Sequence, residues 1–298
     1  MLAYVIRRIV QLVPIILVIV CINFVLVRLA PGDPINYLLG DAPASPEIIA
    51  RLRAEYGLDQ PIWRQLLIYL GQIAQGDLGY SFISRADVST ILMSRVPATL
   101  LLLGTQFVLS VLLGVLLGVV SAARQGTVAD QAVTVLSLVG VAVPAFWLAQ
   151  MMMLVFSLQL DLFPAQGMRS LRRELTGFAG AVDVLRHLAL PALTLTIFNL
   201  ALIARVTRAS MINTLRMEYI TYARSKGVSE RTVIWTHGLR NAMLPVITVI
   251  GLNIPSLIAG AVLTETVFAW PGIGRLAYES IISRDYPVLL GILIVIAV

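Results

Sequence analysis

Apolar residues run along this chain in six long blocks, at residues 9–27, 100–120, 133–158, 188–203, 244–268 and 288–298, with charge and turn residues returning between them. The first is uninterrupted by charge and gives roughly 28 Å of helix at 1.5 Å per residue, long enough to cross a bilayer. Arg7 and Arg8 precede it as in a secretory leader, but no small-residue cleavage pattern follows, so it reads as a retained first span over residues 1–30. The fourth block is short, though its polar ends can extend it through the interfaces, and the sixth stops too early to cross, so the last helix is expected to lack its C-terminal end. Residues 31–97 are punctuated by charge and read as an external soluble insert. It holds two short helices, one over 45–56 ended by Gly57 and one over 61–73. Residues 98–298 form the membrane-spanning core.

The composition supports that pattern. The chain has 298 residues, 58% of them hydrophobic and 13% charged, and a mean hydropathy of +0.89, values of an all-α integral membrane protein rather than a soluble domain. The net charge of +6 does not point to nucleic acid, because the cations cluster beside apolar blocks. Arg205, Arg208, Arg216, Arg224, Lys226, Arg231 and Arg240 lie between the fourth and fifth spans, opposed by Glu218 and Glu230. The positive-inside rule makes that connection cytoplasmic, the N-terminus cytoplasmic, the insert external, the turn "SAARQGTVAD" internal and the segment with Trp270 external. Arg169, Arg172, Arg173 and Arg186 run against this topology, since it puts them outside.

Candidate chemistry is sparse. One cysteine, Cys21, excludes an intramolecular disulfide, and two histidines, His187 and His237, leave little for a metal site. No His-Glu-x-x-His or Gly-x-Ser-x-Gly is present. The single lysine, Lys226, follows serine rather than glycine, so there is no phosphate-binding P-loop; if ATP drives the protein, another polypeptide hydrolyses it. No span carries a charge near its centre, which argues against a proton-coupled pump or a voltage sensor. Pro144, Pro255, Gly140, Gly251 and Gly260 lie within the spans, with polar Gln106, Gln150, Asn199 and Asn253 at membrane depth. Gly114-x-x-x-Gly118 reads as close helix contact. Gln150, Asn199, Asn253 and Glu265 are the candidates for a conducting pathway or its outer gate, Glu265 also being suited to hydrogen-bond a turn or pair with Arg275.

The most informative polar stretch covers residues 209–240. Met211, Ile212, Leu215, Tyr219, Tyr222 and Ala223 follow helical spacing on one stripe. Gly227 fits the left-handed position after a helix, and Ser229 with Glu230 fits the N-cap and first turn of the next. The expected unit is helix, glycine corner, helix. Two readings stay open on physics alone: an amphipathic segment on the lipid surface, or a knuckle that docks into a partner's groove.

The residues of this stretch resemble the coupling loop of ABC importer permeases. That superfamily's loop reads Glu-Ala-Ala, three residues, Gly, nine residues, Ile-x-Leu-Pro. This chain has Thr221, Tyr222 and Ala223 at the first three positions and His237, Leu239 and Arg240 for Ile, Leu and Pro. "ARSKG" and "HGLRNAMLP" are instead similar to the version in the branch that serves oligopeptides, dipeptides, nickel and glutathione. The similarity extends through "RLAPGDP", "YGLDQP", "GDLGYS", "VPAFWLA", "LPALTL", "ARVTRASM" and "FAWPGIGRLAYESIISRDYPV". The resemblance implies six transmembrane helices, a multi-pass protein of a bacterial-type inner membrane, and half of a pathway completed by a second permease subunit, expected as a heterodimer. It also implies two cytoplasmic ATPase subunits, which use ATP and Mg, an external solute-binding protein, and no cofactor on this non-catalytic chain. The ATPase-coupling residues it implies are Glu218, Tyr219, Thr221, Tyr222, Ala223, Arg224, Lys226, Gly227, Val228 and Arg231. Dipeptide or oligopeptide is the expected cargo, with nickel chelate or glutathione open; the competing class is a stand-alone channel or secondary carrier.

Overall fold

The computed structural model describes residues 2–29, 46–47, 49–50, 59–81, 83–170 and 175–297. Most of the helix expected over 45–56, the "RLAPGDP" stretch beyond Leu29, the first half of "YGLDQP", and Arg172 and Arg173 lie outside the described residues. The regular elements of the described chain are helices and one small ribbon. Its elements are α1 (Leu2–Leu29), α2 (Ile62–Ala74), β1 (Tyr80–Ser81), β2 (Ala86–Asp87), α3 (Val88–Ala123), α4 (Val128–Ala142), α5 (Ala145–Met152), a π-helical turn (Met153–Gln159) and α6 (Gly177–Leu215). There follow α7 (Glu218–Ser225), α8 (Glu230–Thr232), a second π-helical turn (Val233–Gly238), α9 (Leu239–Val267), α10 (Ile273–Ser283) and α11 (Tyr286–Ala297). Contacts divide the chain into two units, residues 1–97 with 276–298, and residues 98–275.

Over their described residues the six apolar blocks are helical, apart from the break at 143–144 and Phe268 just past the end of α9. Among the described residues, Val88–Ala123, Gly177–Leu215 and Glu230–Pro255 are long and apolar enough to cross a membrane, and the bent pair Val128–Gly140 and Ala145–Gln159 makes a fourth. Pro14–Leu26 and Tyr286–Ala297 are shorter apolar helices.

In the first unit α1 packs on α11 through Val20, Phe24, Tyr286 and Leu290, with Tyr69 of α2 completing the cluster. The Phe24 and Tyr69 rings stack at 5.4 Å. The helix expected over 61–73 is found as α2. Ser81, in the ribbon that pairs Tyr80 with Asp87, donates to the buried Asp285 carboxylate at 2.5 Å. Burial pushes that carboxyl above its usual range.

The second unit is built around α6, which buries residues along most of its length and packs against α4, α5 and α9. Small residues allow the close approaches. A Cβ at Gly118 would collide with Thr207, and one at Gly114 with Ile203, so the Gly114-x-x-x-Gly118 pair is a helix contact face, as its spacing suggested.

One expectation needs correction. The block at 133–158 is not one helix with Pro144 inside it: α4 ends at Ala142 and α5 begins at Ala145, with a bend of 104° between them. Pro144 has no N–H to continue the ladder, and the residue before a proline is forced extended, as Val143 is at φ −83° and ψ 127°. The fourth block is extended by its polar ends, as expected: α6 holds 39 residues, roughly 58 Å of helix. Asp183 and Arg186 interrupt the apolar run but not the helix. The Asp183 carboxylate accepts from the backbone and hydroxyl of Ser170 at 2.7 and 2.6 Å, and Arg186 donates to the Leu162 carbonyl at 3.2 Å.

Candidate functional site

The corner expected at Gly227 is present, and its hydrogen bonds are those that close a helix through a left-handed glycine. Gly227 sits at φ +79°. Its N–H reaches the Arg224 carbonyl at 2.9 Å, and the Val228 N–H reaches back to the Ala223 carbonyl at 3.3 Å. These two reversed bonds satisfy carbonyls that the end of α7 would leave without partners. On the far side Ser229 caps α8, its hydroxyl accepting from the Thr232 N–H at 3.4 Å. From Glu230 the chain runs through α8 and the π-helical turn into α9, so the second arm of the corner is the beginning of a span.

The two arms are clasped from both sides. Within the angle, Ile220, Ala223 and Val233 are buried together, with Leu215 and Val228 packed against them. Across the outside, Arg224 makes a two-point ion pair with Glu230, at 2.6 and 3.1 Å. These bonds raise the guanidinium above its usual pKa. Tyr219 is tied to the second arm, its hydroxyl accepting from Asn241 Nδ2 at 2.6 Å. Gly238 completes the seat, lying against Leu215 and Met211.

Of the ten residues expected to meet a partner, then, Ala223 is buried and Val228 half-buried inside the corner, and Arg224 is engaged with Glu230. The outward face presents Glu218, Tyr219, Thr221, Tyr222, Lys226 and Arg231. Tyr222 is 61% exposed, and the Lys226 ammonium lies over its ring at 4.5 Å. Glu218, Thr221 and Tyr222 line a shallow, open concavity together with Arg216 and Ser225. The single helical stripe expected through Met211 and Ala223 is divided, because α6 ends at Leu215 and Met217 opens α7.

The other candidates separate. Asn199 and Asn253 line one narrow cavity with Gln106, Ser110, Phe107 and Ile250. Asn199 Nδ2 donates to Gln106 Oε1 at 3.2 Å. Gln106 is fully buried, and its Nε2 makes no hydrogen bond among the described residues. Gln150 stands exposed on α5, apart from that cavity. Glu265 is fully buried near the end of α9, where its carboxylate organises the following loop. It accepts from the Thr99 hydroxyl at 2.8 Å and from the backbone N–H of Arg275 at 3.0 Å. Thr99 in turn accepts from the Ile273 N–H at 2.7 Å, and the Trp270 indole donates to the Ala98 carbonyl. A Cβ at Gly272 would collide with the Glu265 carboxylate, so the "PGIG" glycine is required by close approach.

Comparison with known proteins bears directly on this geometry. Residues 114–298 match the family model described as binding-protein-dependent transport system inner membrane component, and residues 1–103 match that system's N-terminal membrane-component model. The chain belongs to this family. Relatives include the di/tripeptide transport system permease protein DppB of Pseudomonas aeruginosa, 39% identical over 99% of this chain and 92% of its own length. The oligopeptide transport system permease protein AppB of Bacillus subtilis is 40% identical over 100% and 93%, and the dipeptide transport system permease protein DppB of Escherichia coli K12 is 38% identical over 100% and 93%. The protein is therefore a permease subunit of a binding-protein-dependent importer, a multi-pass component of the inner membrane.

For an inner-membrane component, two polar features escaped the sequence reading. Gln106 was noted only as a polar residue at depth, although its carboxamide connects Asn199 to the cavity. Asp130 and Arg208, 78 positions apart, form an ion pair, Nε to Oδ1 at 2.6 Å and Nη2 to Oδ2 at 2.8 Å, with the carboxylate buried and the Arg208 side chain 29% exposed. Asp130 is 4% exposed and also accepts from the Ser121 hydroxyl at 2.5 Å and the Gly126 N–H at 3.0 Å. The available signal was an aspartate just after the turn that follows the second apolar block and an arginine just beyond the end of the fourth, one charge of each sign.

Proposed function

We propose that this chain is the permease subunit of an ATP-driven importer of di- or oligopeptides, and that the corner around Gly227 is where a cytoplasmic ATPase subunit docks. The observation that carries this reading is the corner itself. A left-handed glycine, an internal apolar seat and an ion pair hold α7 at a fixed angle to the start of a span, while Glu218, Thr221, Tyr222 and Lys226 are exposed on its outer face. A segment adapted only to lie on lipid needs no such clasp, and its outward face would be apolar.

In this mechanism the chain performs no chemistry. Two ATPase subunits bind and hydrolyse ATP with Mg, a second permease subunit completes the pathway, and an external binding protein delivers the peptide. Closure of the ATPase pair displaces the two coupling corners. Because the second arm of the corner runs on into α9 and α6 ends beside it, that displacement tilts spans rather than bending a loop, exchanging inward-facing and outward-facing arrangements. The corner and the N-terminus face the cytoplasm, and residues 31–97 face outside. Gln106, Asn199 and Asn253 are neutral donors and acceptors at membrane depth, a chemistry that suits peptide amides, and we assign them to the pathway. The peptide cargo rests on the relatives, all three named for transport of peptides.

The test is reconstitution of this chain with its second permease subunit, ATPase subunits and binding protein in proteoliposomes. Uptake of labelled dipeptides and oligopeptides should require ATP and every subunit. Uptake by this chain alone, or uptake indifferent to ATP, would overturn the proposal. Transport of nickel chelates or glutathione in place of peptides would overturn the cargo.

A further inference from the structure

We infer that the Asp130–Arg208 ion pair is the joint through which movement of the coupling corner reaches the hairpin formed by α3 and α4, and that both are positioning residues for transport. The inference rests on the proposed reading of residues 209–240 as the ATPase-coupling loop.

The argument starts from where Arg208 lies. It sits two turns before the end of α6 at Leu215, and after one short connection the chain enters α7, the first arm of the corner. Anything that moves the corner therefore pulls on this end of α6. Two sets of contacts decide what moves with it. Towards α9, Ser210 Oγ donates to the Ala242 carbonyl at 2.8 Å, and Met211 and Ala242 are buried in one cluster with Val119 and Ala122 of α3. Towards the hairpin, the Arg208 guanidinium grips both oxygens of Asp130.

Asp130 is built as an anchor. Its carboxylate gathers Ser121 from the last turn of α3, the Gly126 N–H from the connecting turn and Arg208 from α6, so one side chain in the first turn of α4 fixes three segments. Beside it, Gly118 is pressed so tightly on Thr207 that a Cβ there would collide. The glycine face permits sliding, being apolar and without direction. The two-point ion pair does not, because an Arg–carboxylate fork is satisfied in one orientation only. Burial of Asp130 strengthens this constraint, since displacement of Arg208 would leave that carboxylate charged and shielded from water. The pair thus converts a close but slippery helix contact into a fixed one at the level where force enters.

The experiment measures peptide uptake per ATP hydrolysed in proteoliposomes of the complete transporter. Arg208→Lys keeps the charge but loses the fork, and the double variant Asp130→Asn with Arg208→Gln removes both charges without leaving one buried and unpaired. Both variants should assemble with the ATPases and hydrolyse ATP, with uptake per ATP lowered about fivefold or more. Wild-type uptake per ATP in either assembled variant overturns the inference. Failure of both to assemble also overturns it, by assigning the pair to folding alone. Gly227→Val is measured alongside. If it leaves uptake per ATP and ATPase recovery unchanged, the coupling reading of residues 209–240 fails; if it disturbs them and the pair variants do not, only the present inference fails.

Discussion

Arg224 and Glu230 face each other across the glycine corner and bind at two points, joining the last turn of one helix to the first turn of the next. Both side chains are exposed, at 41% and 56%, and an ion pair of that kind contributes only about 0–1 kcal/mol to stability. Its effect is on angle: it opposes opening of the corner when the outer face is pushed.

The pairing leads to a double-variant prediction. Arg224→Glu or Glu230→Arg alone should weaken recovery of the ATPases on the purified permease pair, because each places like charges across the corner. The two together should restore it. If Arg224 instead serves an acidic residue on the ATPase, the double variant will be as impaired as Arg224→Glu alone, a difference readable from co-purified ATPase per permease.

Gly227 makes a graded test, because a Cβ there would meet nothing within 4 Å. Substitution therefore costs only what the left-handed backbone costs, roughly 1 kcal/mol for alanine, less for asparagine and more for a β-branched residue. ATPase recovery and uptake per ATP should fall in the order Gly, Asn, Ala, Val, with insertion of the spans unaffected. Equal behaviour of Gly227→Asn and Gly227→Val would show that the left-handed geometry is not what matters.

The parts of the molecule visible in the sequence are those determined locally. Apolar runs mark the helices because a span must bury its surface and satisfy its backbone within itself. Gly227 and Ser229 mark the corner because a left-handed glycine and a serine cap act over four residues. What escaped depends on distant partners. How far α6 extends beyond its apolar block was not fixed, because Asp183 and Arg186 interrupt the pattern; the buried Asp183 is met by Ser170, 13 positions away, while Arg186 is exposed. Pro144 was legible as a proline but not as a break of 104°, since Pro255 lies in an α9 that the structure keeps as a single helix. The Asp130–Arg208 pair and the Glu265–Thr99 bond join positions 78 and 166 residues apart, and no local pattern announces either.

Topology can be checked with two single cysteines in a background where Cys21 is replaced by alanine. Asp59 is exposed in the insert and Glu230 on the corner. A membrane-impermeant thiol reagent applied to intact cells should label Asp59→Cys and not Glu230→Cys, with both labelled after permeabilisation. The reverse pattern would place the corner outside, and with it refute ATPase docking at Gly227.

Glu265 separates a pathway role from a structural one. Its carboxylate is fully buried and surrounded by donors: the Thr99 hydroxyl and the Arg275 N–H, with the Gly272 backbone pressed too close to admit a side chain. Glutamine can accept from the Arg275 N–H and donate to the Thr99 oxygen, but it then leaves the buried Thr99 hydroxyl proton without its acceptor. The expected cost of Glu265→Gln is about 1–3 kcal/mol, seen as a lower melting temperature of the detergent-purified permease pair. Thr99→Val should act through the same bond, so the two substitutions together should cost less than the sum of each alone. Substrate preference should be unchanged in both, measured as relative uptake of cationic, neutral and anionic dipeptides per assembled complex. A shift of that preference in Glu265→Gln at wild-type stability would instead make Glu265 a group that meets the cargo, and would return it to the outer gate.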